Sequence, residues 1–479
     1  MNKAKPTYEE LEAENAQLRS RVEELEGENA RLERRITELE GEVTKLSQQL
    51  AEALRASKRQ AAPFSKGHVK ANPKKPGRKQ GHPGTSRRRP DHIDEVVWMP
   101  LDHCPHCGGS VEQVQSHQQF VEEIPPIRPQ VICYMIQSGF CPYCRCRVES
   151  RHPDQTGTAK GAAGVQIGPN VIALAADLKH RLGLSFRKIC DLLATHWGLH
   201  VTAGGLVQAI GKLAKRAGPT FEGMVEKARA SPVIHSDETG WRIGGQGAWL
   251  WVFTNPILTV FAIRKSRGHQ VIEEILGDVF EGILASDCFP AYDPVQAAGK
   301  AKCMAHLLRN LSDLEAQQTR GAVRFPRKVA DLFRRALLLK EEQEMLTHQE
   351  YAWKVAGLEA ELDKLLAGHY TNPDNLRMVK RLRKHREALF TFLKHPEVEP
   401  TNNLAERQLR PAVIVRKLSG GNRTEQGAHT HEVLASLTVT ARQQGFHFLE
   451  VARAILTSIL PDYVFPLFEQ DALAQAEAR

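Results

Sequence analysis

Six leucines at an unbroken seven-residue spacing, Leu11, Leu18, Leu25, Leu32, Leu39 and Leu46, constrain the N-terminus of this chain more tightly than any other feature. Three residues before each stands Tyr8, Asn15, Val22, Asn29, Ile36 or Val43, which completes an a/d heptad seam. β-Branched residues at a with leucine at d favour two parallel strands. Asn15 and Asn29 at a fix register and dimer state, because each amide is satisfied only against its counterpart in the partner. A single amphipathic helix buried on its own domain is the alternative, but the surrounding positions are polar. The pattern predicts a dimerising coiled coil over residues 1–57, whose six heptads span about 63 Å at 1.5 Å per residue.

A chain of 479 residues is too long for one core, so several domains are expected. No apolar run reaches the roughly 18 residues of a membrane span, and the first residues lack a signal-peptide core, so a cytoplasmic protein with no membrane partner is expected. The formal net charge is +9, yet residues 58–90 alone hold eleven Lys or Arg and no Asp or Glu, which leaves the remainder at −2. This Pro/Gly-rich linker (58–95) includes Lys74, Lys75, Arg78, Lys79, Arg87, Arg88 and Arg89 and cannot build a core. Its concentrated charge points to DNA-backbone contact that is salt-sensitive and blind to sequence, with a plain solvated linker as the alternative.

Two C-x2-C pairs follow, Cys104/Cys107 in "CPHCGGS" and Cys141/Cys144 in "CPYCRCR". In a reducing compartment such knuckles suit metal better than disulfides, and four thiolates make a closed, structural Zn2+ site. The alternating sequence between them suits the strands of a zinc ribbon over residues 96–155. Cys146 competes as fourth ligand, and Cys133 is expected as a buried thiol in a strand.

Residues 165–225 turn helical. Phe186, Ile189, Leu192, Leu193 and Trp197 mark a helix ending at Gly198, and Thr202 is the candidate N-cap of a second, basic helix. Helix, short turn and basic helix make a helix-turn-helix-like DNA-binding domain, although any αα-hairpin looks similar.

From residue 230 the pattern becomes three short strands, a helix, a strand, and a strand running into a helix. That is the order of a ribonuclease-H-like α/β core. Asp237 lies on the first strand and Asp287 ends the fourth; these strands are neighbours in such a core, so both carboxylates meet at one edge. Each alone is more often a turn cap. Glu406, in "EPTNNLAERQLRP", sits one turn into a helix beside Arg407 and Arg410. Its bland explanation is an N-cap at Thr401 or Asn402 with Glu406 paired to an arginine on a solvated face. The alternative is a third metal-binding acid beside a helix start and arginines that hold phosphate. Three carboxylates suit Mg2+ or Mn2+ and in-line phosphoryl displacement. The fold class expected is therefore multidomain α/β, with core segments at 230–322 and 399–445, an all-α insertion at 323–398 and a C-terminal helical tail at 446–479.

"HSDETGW", "ASDCFPAYD", "CMAHLLRNL" and "NNLAERQLRP", in this order, resemble the insertion sequence 66 family of DDE transposases. "RKLSGGNRTEQGAHTHEVLASLTVTARQQG" is similar to the segment after that family's third acid, and the likeness runs from the coiled coil to about residue 460. It implies that Asp237, Asp287 and Glu406 take the three acidic positions, with Glu238 and Asp293 as rivals for the first two. It also implies cleavage and transfer of transposon ends by a dimer or larger complex of a bacterial, nucleoid-associated protein. Small accessory proteins of the same element are further expected partners. His306 matches a position typical of the family and, with Asn403, is a possible auxiliary residue; a structural histidine is the alternative. Cys288, Phe289 and the extra Cys146 depart from the family pattern. Trp241 is read as a core aromatic, with stacking on a flipped base as the other option. A catalytically silent DNA-binding derivative and a structure-specific nuclease of the same fold are the competing functions.

Overall fold

The heptad sequence forms one helix of 51 residues, α1 (Tyr8–Lys58). Its apolar seam residues from Leu18 to Leu46 are 44–63% exposed, while Arg21–Glu24 and Arg35–Glu38 pair along its surface at 2.6 and 2.8 Å. The structure, a computed structural model, describes residues 8–58, 87–125, 127–159 and 164–469. It divides into two units, Met1–His82 and Pro83–Arg479. The side chain of Asn15 and the residues Lys74, Lys75, Arg78 and Lys79 lie outside the described residues. Among the described residues, no helix is long and apolar enough to cross a membrane.

In the second unit, the cysteine-bearing segment holds one short antiparallel hairpin, β1 (Ser138–Cys141) with β2 (Cys146–Glu149), in which Cys141 faces Cys146. The longer strands expected upstream do not form among the described residues, and Cys133 is exposed outside any strand. Pro125 and Pro129 weigh against those strands, since each removes an N–H that a ladder needs. Arg87 ion-pairs with Glu122 and Arg89 lies 5.1 Å from the Phe120 ring centroid, so two of these three arginines already have partners within the chain.

Four helices follow: α2 (Pro169–His180), α3 (Phe186–Trp197), α4 (Ala203–Arg216) and α5 (Gly218–Arg229). Local chemistry sets the α3–α4 corner. Gly198 closes α3 in the left-handed conformation at φ 66°, and the Thr202 hydroxyl accepts the Gly205 N–H at 3.1 Å to open α4. Lys212 and Lys215 remain exposed on α4.

A five-stranded mixed sheet comes next: β3 (Val233–Ile243), β4 (Gln246–Thr254), β5 (Thr259–Arg264), β6 (Val279–Ser286) and β7 (Gln296–Lys302), in spatial order β5-β4-β3-β6-β7. The first three strands are antiparallel; β6 pairs parallel with β3, and β7 parallel with β6. Helix α6 (Gln270–Leu276) makes the crossover from β5 to β6. Beyond β7 lie α7 (Met304–Gln317), α8 (Arg324–Glu341), α9 (His348–Ala367), α10 (Pro373–Lys384), α11 (Thr391–Lys394), α12 (Asn403–Ser419), α13 (Glu425–Gln443) and α14 (Phe448–Thr457).

Strand alternation divides the core into layers. Ile234, Trp251, Phe253, Val260, Ala262 and Leu284 pack with α2–α6 on one face. On the other face Leu250, Val252, Phe261 and Ile263 meet α12 and α13, while Val233, Ile283 and Ala285 meet α7 and the helices of 323–398. Those helices carry their own core around Leu332, Phe333, Leu362 and Leu382.

Where α2 meets α13, His180 and His431 are both buried, with Nδ1 atoms 3.3 Å apart and neither Nε2 hydrogen-bonded among the described residues. Burial, with Lys179 nearby, lowers His431 to about 4 and holds His180 well below its usual value. Both folded-state values lie below the unfolded value, so the stability they contribute is present above pH ~6.5 and lost as pH falls. The urea midpoint is expected to drop between pH 7 and 5, with His431 accounting for a loss on the order of 2–3 kcal/mol by pH 4. The decline should be smaller in His431→Gln; equal pH dependence in the two proteins would overturn this.

Candidate active site

Parallel pairing of β3 with β6 ends at His235↔Ala285. Asp237 and Asp287 each stand two residues farther on, so they leave the sheet at the same height and on the same face. That face also carries Val233, Ile283 and Ala285 and is covered by α7. β3 continues to Ile243 against β4 while β6 ends at Ser286, so the two carboxylates flank the point where β3 and β6 part, a crevice of the kind in which open α/β sheets bind ligands. Asp237 is half-buried, and its Oδ1 accepts the Glu238 N–H at 2.9 Å. Burial pushes its carboxyl up to about 7; Glu238 and Asp287 add repulsion, and the Glu238 N–H and His306 oppose the rise. Asp287 opens a loop in which its Oδ1 accepts the Phe289 N–H at 2.8 Å and its carbonyl accepts Lys302 Nζ at 2.8 Å.

Asn402 ties the start of α12, the helix that carries Glu406, to this edge. It is the N-cap residue of α12, but its side chain does not cap the helix. Instead, with 1% of its surface exposed, it reaches into the sheet. Its Nδ2 donates to the Ser236 carbonyl at 2.8 Å, its Oδ1 lies 3.2 Å from His235 Nδ1, and its N–H donates to Cys303 Sγ at 3.1 Å. Met304 N–H donates to the Pro400 carbonyl at 2.9 Å, which joins the starts of α7 and α12. The capping explanation of "TNN" is therefore corrected: the sheet competes for the asparagine side chain and wins it.

Glu406, one turn into α12, faces His306 of α7 at 3.7 Å rather than an arginine. Arg407 and Arg410 are exposed and, among the described residues, have no ion pair; Asn403 is exposed at the first position of α12. His306 Nδ1 is buried without a conventional hydrogen bond. The adjacent Cys303 thiol raises the ring's pKa, burial opposes it, and Asp287 and Glu406 raise it further. His306 thus lies within the field of Asp237, Asp287 and Glu406 together. No sequence pattern marks Cys303, a lone cysteine before a helix.

The two rival acids are engaged elsewhere. Glu238 points to the opposite face and is bound by Arg267 and Tyr292. Asp293 meets Lys384 at 2.5 Å and His385 at 3.8 Å. Trp241 is buried, donates to Asn422 Oδ1 at 2.8 Å and stacks on His431, which leaves no face for a base.

Among the described residues, no three His, Cys, Asp or Glu side chains are gathered tightly enough to form a ready-made metal site. The donor chemistry nonetheless fits. A desolvated carboxyl repelled by a second acid lacks a full countercharge, and hard carboxylate oxygens take Mg2+ or Mn2+. In the first knuckle, His106 and Cys107 N–H groups point at Cys104 and draw its thiol below the usual value. Gly108, at φ 76°, permits that turn. In the second knuckle, Cys144 and Tyr143 do the same for Cys141.

Two proteins of Sinorhizobium fredii, both described as uncharacterized, resemble this chain. Protein y4qI is 26% identical over 314 residues, covering 58% of this chain and 56% of that protein. The match therefore spans about half of that relative's length. Protein y4hP is 25% identical over 402 residues, covering 74% of this chain and 70% of that protein. The model of the IS66 family of transposases matches residues 164–430, a span that includes Asp237, Asp287, His306 and Glu406. With more than half of its length matched in this way, the chain belongs to the IS66 transposase family.

Proposed function

We propose that this chain cleaves insertion-sequence ends and joins them to target DNA, with Asp237, Asp287 and Glu406 as the acidic triad of a ribonuclease-H-like core. The observation that carries this reading is the shared register of Asp237 and Asp287 beyond His235↔Ala285, with α12 pinned alongside by Asn402. The strand order, three antiparallel strands then two parallel, supports the core assignment. Asp237, Asp287 and Glu406 would hold Mg2+ or Mn2+, which would supply Lewis-acid and charge stabilisation to an in-line phosphoryl displacement. His306 holds Glu406 in place. Arg407 and Arg410, which have no ion pair among the described residues, clamp the phosphate backbone beside the α12 start and help orient the scissile strand. Exposed Lys212 and Lys215 of α4, with Arg88 and the basic tract, add DNA contacts. The exposed seam of α1 pairs two copies, which brings two element ends together.

The test is cleavage and joining of a labelled inverted-repeat end with Mg2+ or Mn2+, comparing wild type with Asp237→Asn, Asp287→Asn and Glu406→Gln. Products from wild type alone, with end binding intact in all four, are expected. Undiminished cleavage by any of the three variants would remove that residue from the triad.

Cys104, Cys107, Cys141 and Cys144 are proposed to hold a structural Zn2+ that folds the knuckle segment. About one zinc per chain is expected by elemental analysis, lost in Cys104→Ser/Cys141→Ser. Because a closed thiolate site leaves no position for substrate, that double variant should weaken end binding without changing the metal dependence of cleavage. Unchanged zinc content would exclude these ligands.

A further inference from the structure

The β3–β6 ladder ends at His235↔Ala285, so no backbone pairing between these strands fixes the spacing of Asp237 and Asp287 beyond it. Glu238 supplies a different connection. Its side chain is 3% exposed on the face opposite Asp237. Its Oε1 accepts from Arg267 Nε at 3.0 Å and Nη2 at 2.7 Å, and its Oε2 accepts from the Tyr292 hydroxyl at 2.8 Å. Tyr292 is fully buried at the end of the short 3-10 turn Pro290–Tyr292, just after Asp287, and its hydroxyl lies 3.4 Å from Ser236 Oγ. Arg267, from the loop after β5, lies 4.2 Å from the Trp249 ring centroid and 3.8 Å from that of Phe289, so its direction is set by both rings. One carboxylate thereby ties the neighbour of Asp237 to the segment that follows Asp287.

We infer that Glu238, Tyr292 and Arg267 form a positioning clamp that sets the separation of Asp237 and Asp287, and with it the affinity of that pair for a divalent ion. The inference rests on the acidic triad proposed above. None of the three clamp residues touches substrate; they act through the two aspartates. Groups that orient metal ligands in this way typically change metal affinity or activity about 10- to 100-fold when altered.

The test uses full-length protein and Mn2+ alone, with free Mn2+ followed by electron paramagnetic resonance and exchange of the Phe289 and Tyr292 amides followed by mass spectrometry. Glu238→Gln is expected to weaken Mn2+ binding about 10- to 100-fold and to speed exchange, with end binding unchanged. Tyr292→Phe, which removes one hydroxyl and little volume, should move both readouts in the same direction by less. Wild-type Mn2+ affinity and exchange in Glu238→Gln would overturn the clamp. So would complete loss of Mn2+ with unchanged exchange, which would make Glu238 a ligand. Asp237→Asn separates the two ideas: if it binds Mn2+ like wild type, the triad has failed, and faster exchange in Glu238→Gln still establishes the clamp.

Discussion

Asp237→Asn is expected to lower strand cleavage at least about a thousandfold while making the metal-free protein more stable above pH 7. The first effect follows from losing an anionic ligand where several kcal/mol of transition-state charge stabilisation are at stake, at about 1.36 kcal/mol per tenfold. The second follows from the carboxyl's pKa of about 7, raised by burial and by its acidic neighbours. A carboxyl whose folded-state pKa exceeds its unfolded value near 3.9 favours the fold at low pH, and that advantage is lost as pH rises toward 7. Asparagine has the same shape and cannot ionise, so at pH 8 the variant should gain on the order of 1–3 kcal/mol after discounting for partial exposure. Urea unfolding in EDTA at pH 5 and pH 8, beside the cleavage assay, checks both. A variant that cleaves normally, or that is less stable than wild type at pH 8, would contradict this account of Asp237.

Asn402→Ala should be both inactive and unstable. The substitution removes the partner of the buried Ser236 carbonyl and of His235 Nδ1, each of which then lacks a hydrogen bond in a site closed to water. Such groups cost about 1–3 kcal/mol each, so a total loss of about 2–4 kcal/mol is expected in urea unfolding. Freed from β3, the start of α12 can shift, and a displacement of about 1 Å in a reacting group costs on the order of a hundredfold in rate. Asn402→Asp keeps an acceptor for His235 but cannot donate to Ser236, so it should fall between alanine and wild type. Wild-type stability in Asn402→Ala would show that the N–H to Cys303 and the Met304–Pro400 bond hold the helix start without the side chain.

The strands and helices were legible wherever the rules that make them are local. β3, β4 and β5 follow short apolar runs broken by Gly and Asn-Pro, and α3 ends at the glycine and α4 starts at the threonine that local capping requires. The knuckle segment shows the limit of alternation. Its pattern suits strands, but its prolines deny them the N–H groups of a ladder, and only the last hairpin forms among the described residues. At the site, Asp237 stands out in the sequence as an acid on the first strand, Asp287 as one at the end of the fourth, and Glu406 as one near a helix start. Choosing between Asp237 and its neighbour Glu238 was a different matter, because alternation says that they face opposite ways without saying which way the site lies.

Local chemistry, carried within windows of a few residues, is enough to specify the heptad seam, the basic tract, the caps of the α3–α4 corner, the strand order along the chain and the paired cysteines. The contacts that make an active site join distant residues. Asn402 reaches Ser236 across 166 positions, α7 and α12 cover one face of the sheet, and Glu238 turns away to meet Arg267 and Tyr292 on the other. No local window holds both partners of such a contact. Which asparagine caps a helix and which pins it, and which of two adjacent acids faces the site, depends on competing hydrogen bonds and burial that exist only once the sheet has closed.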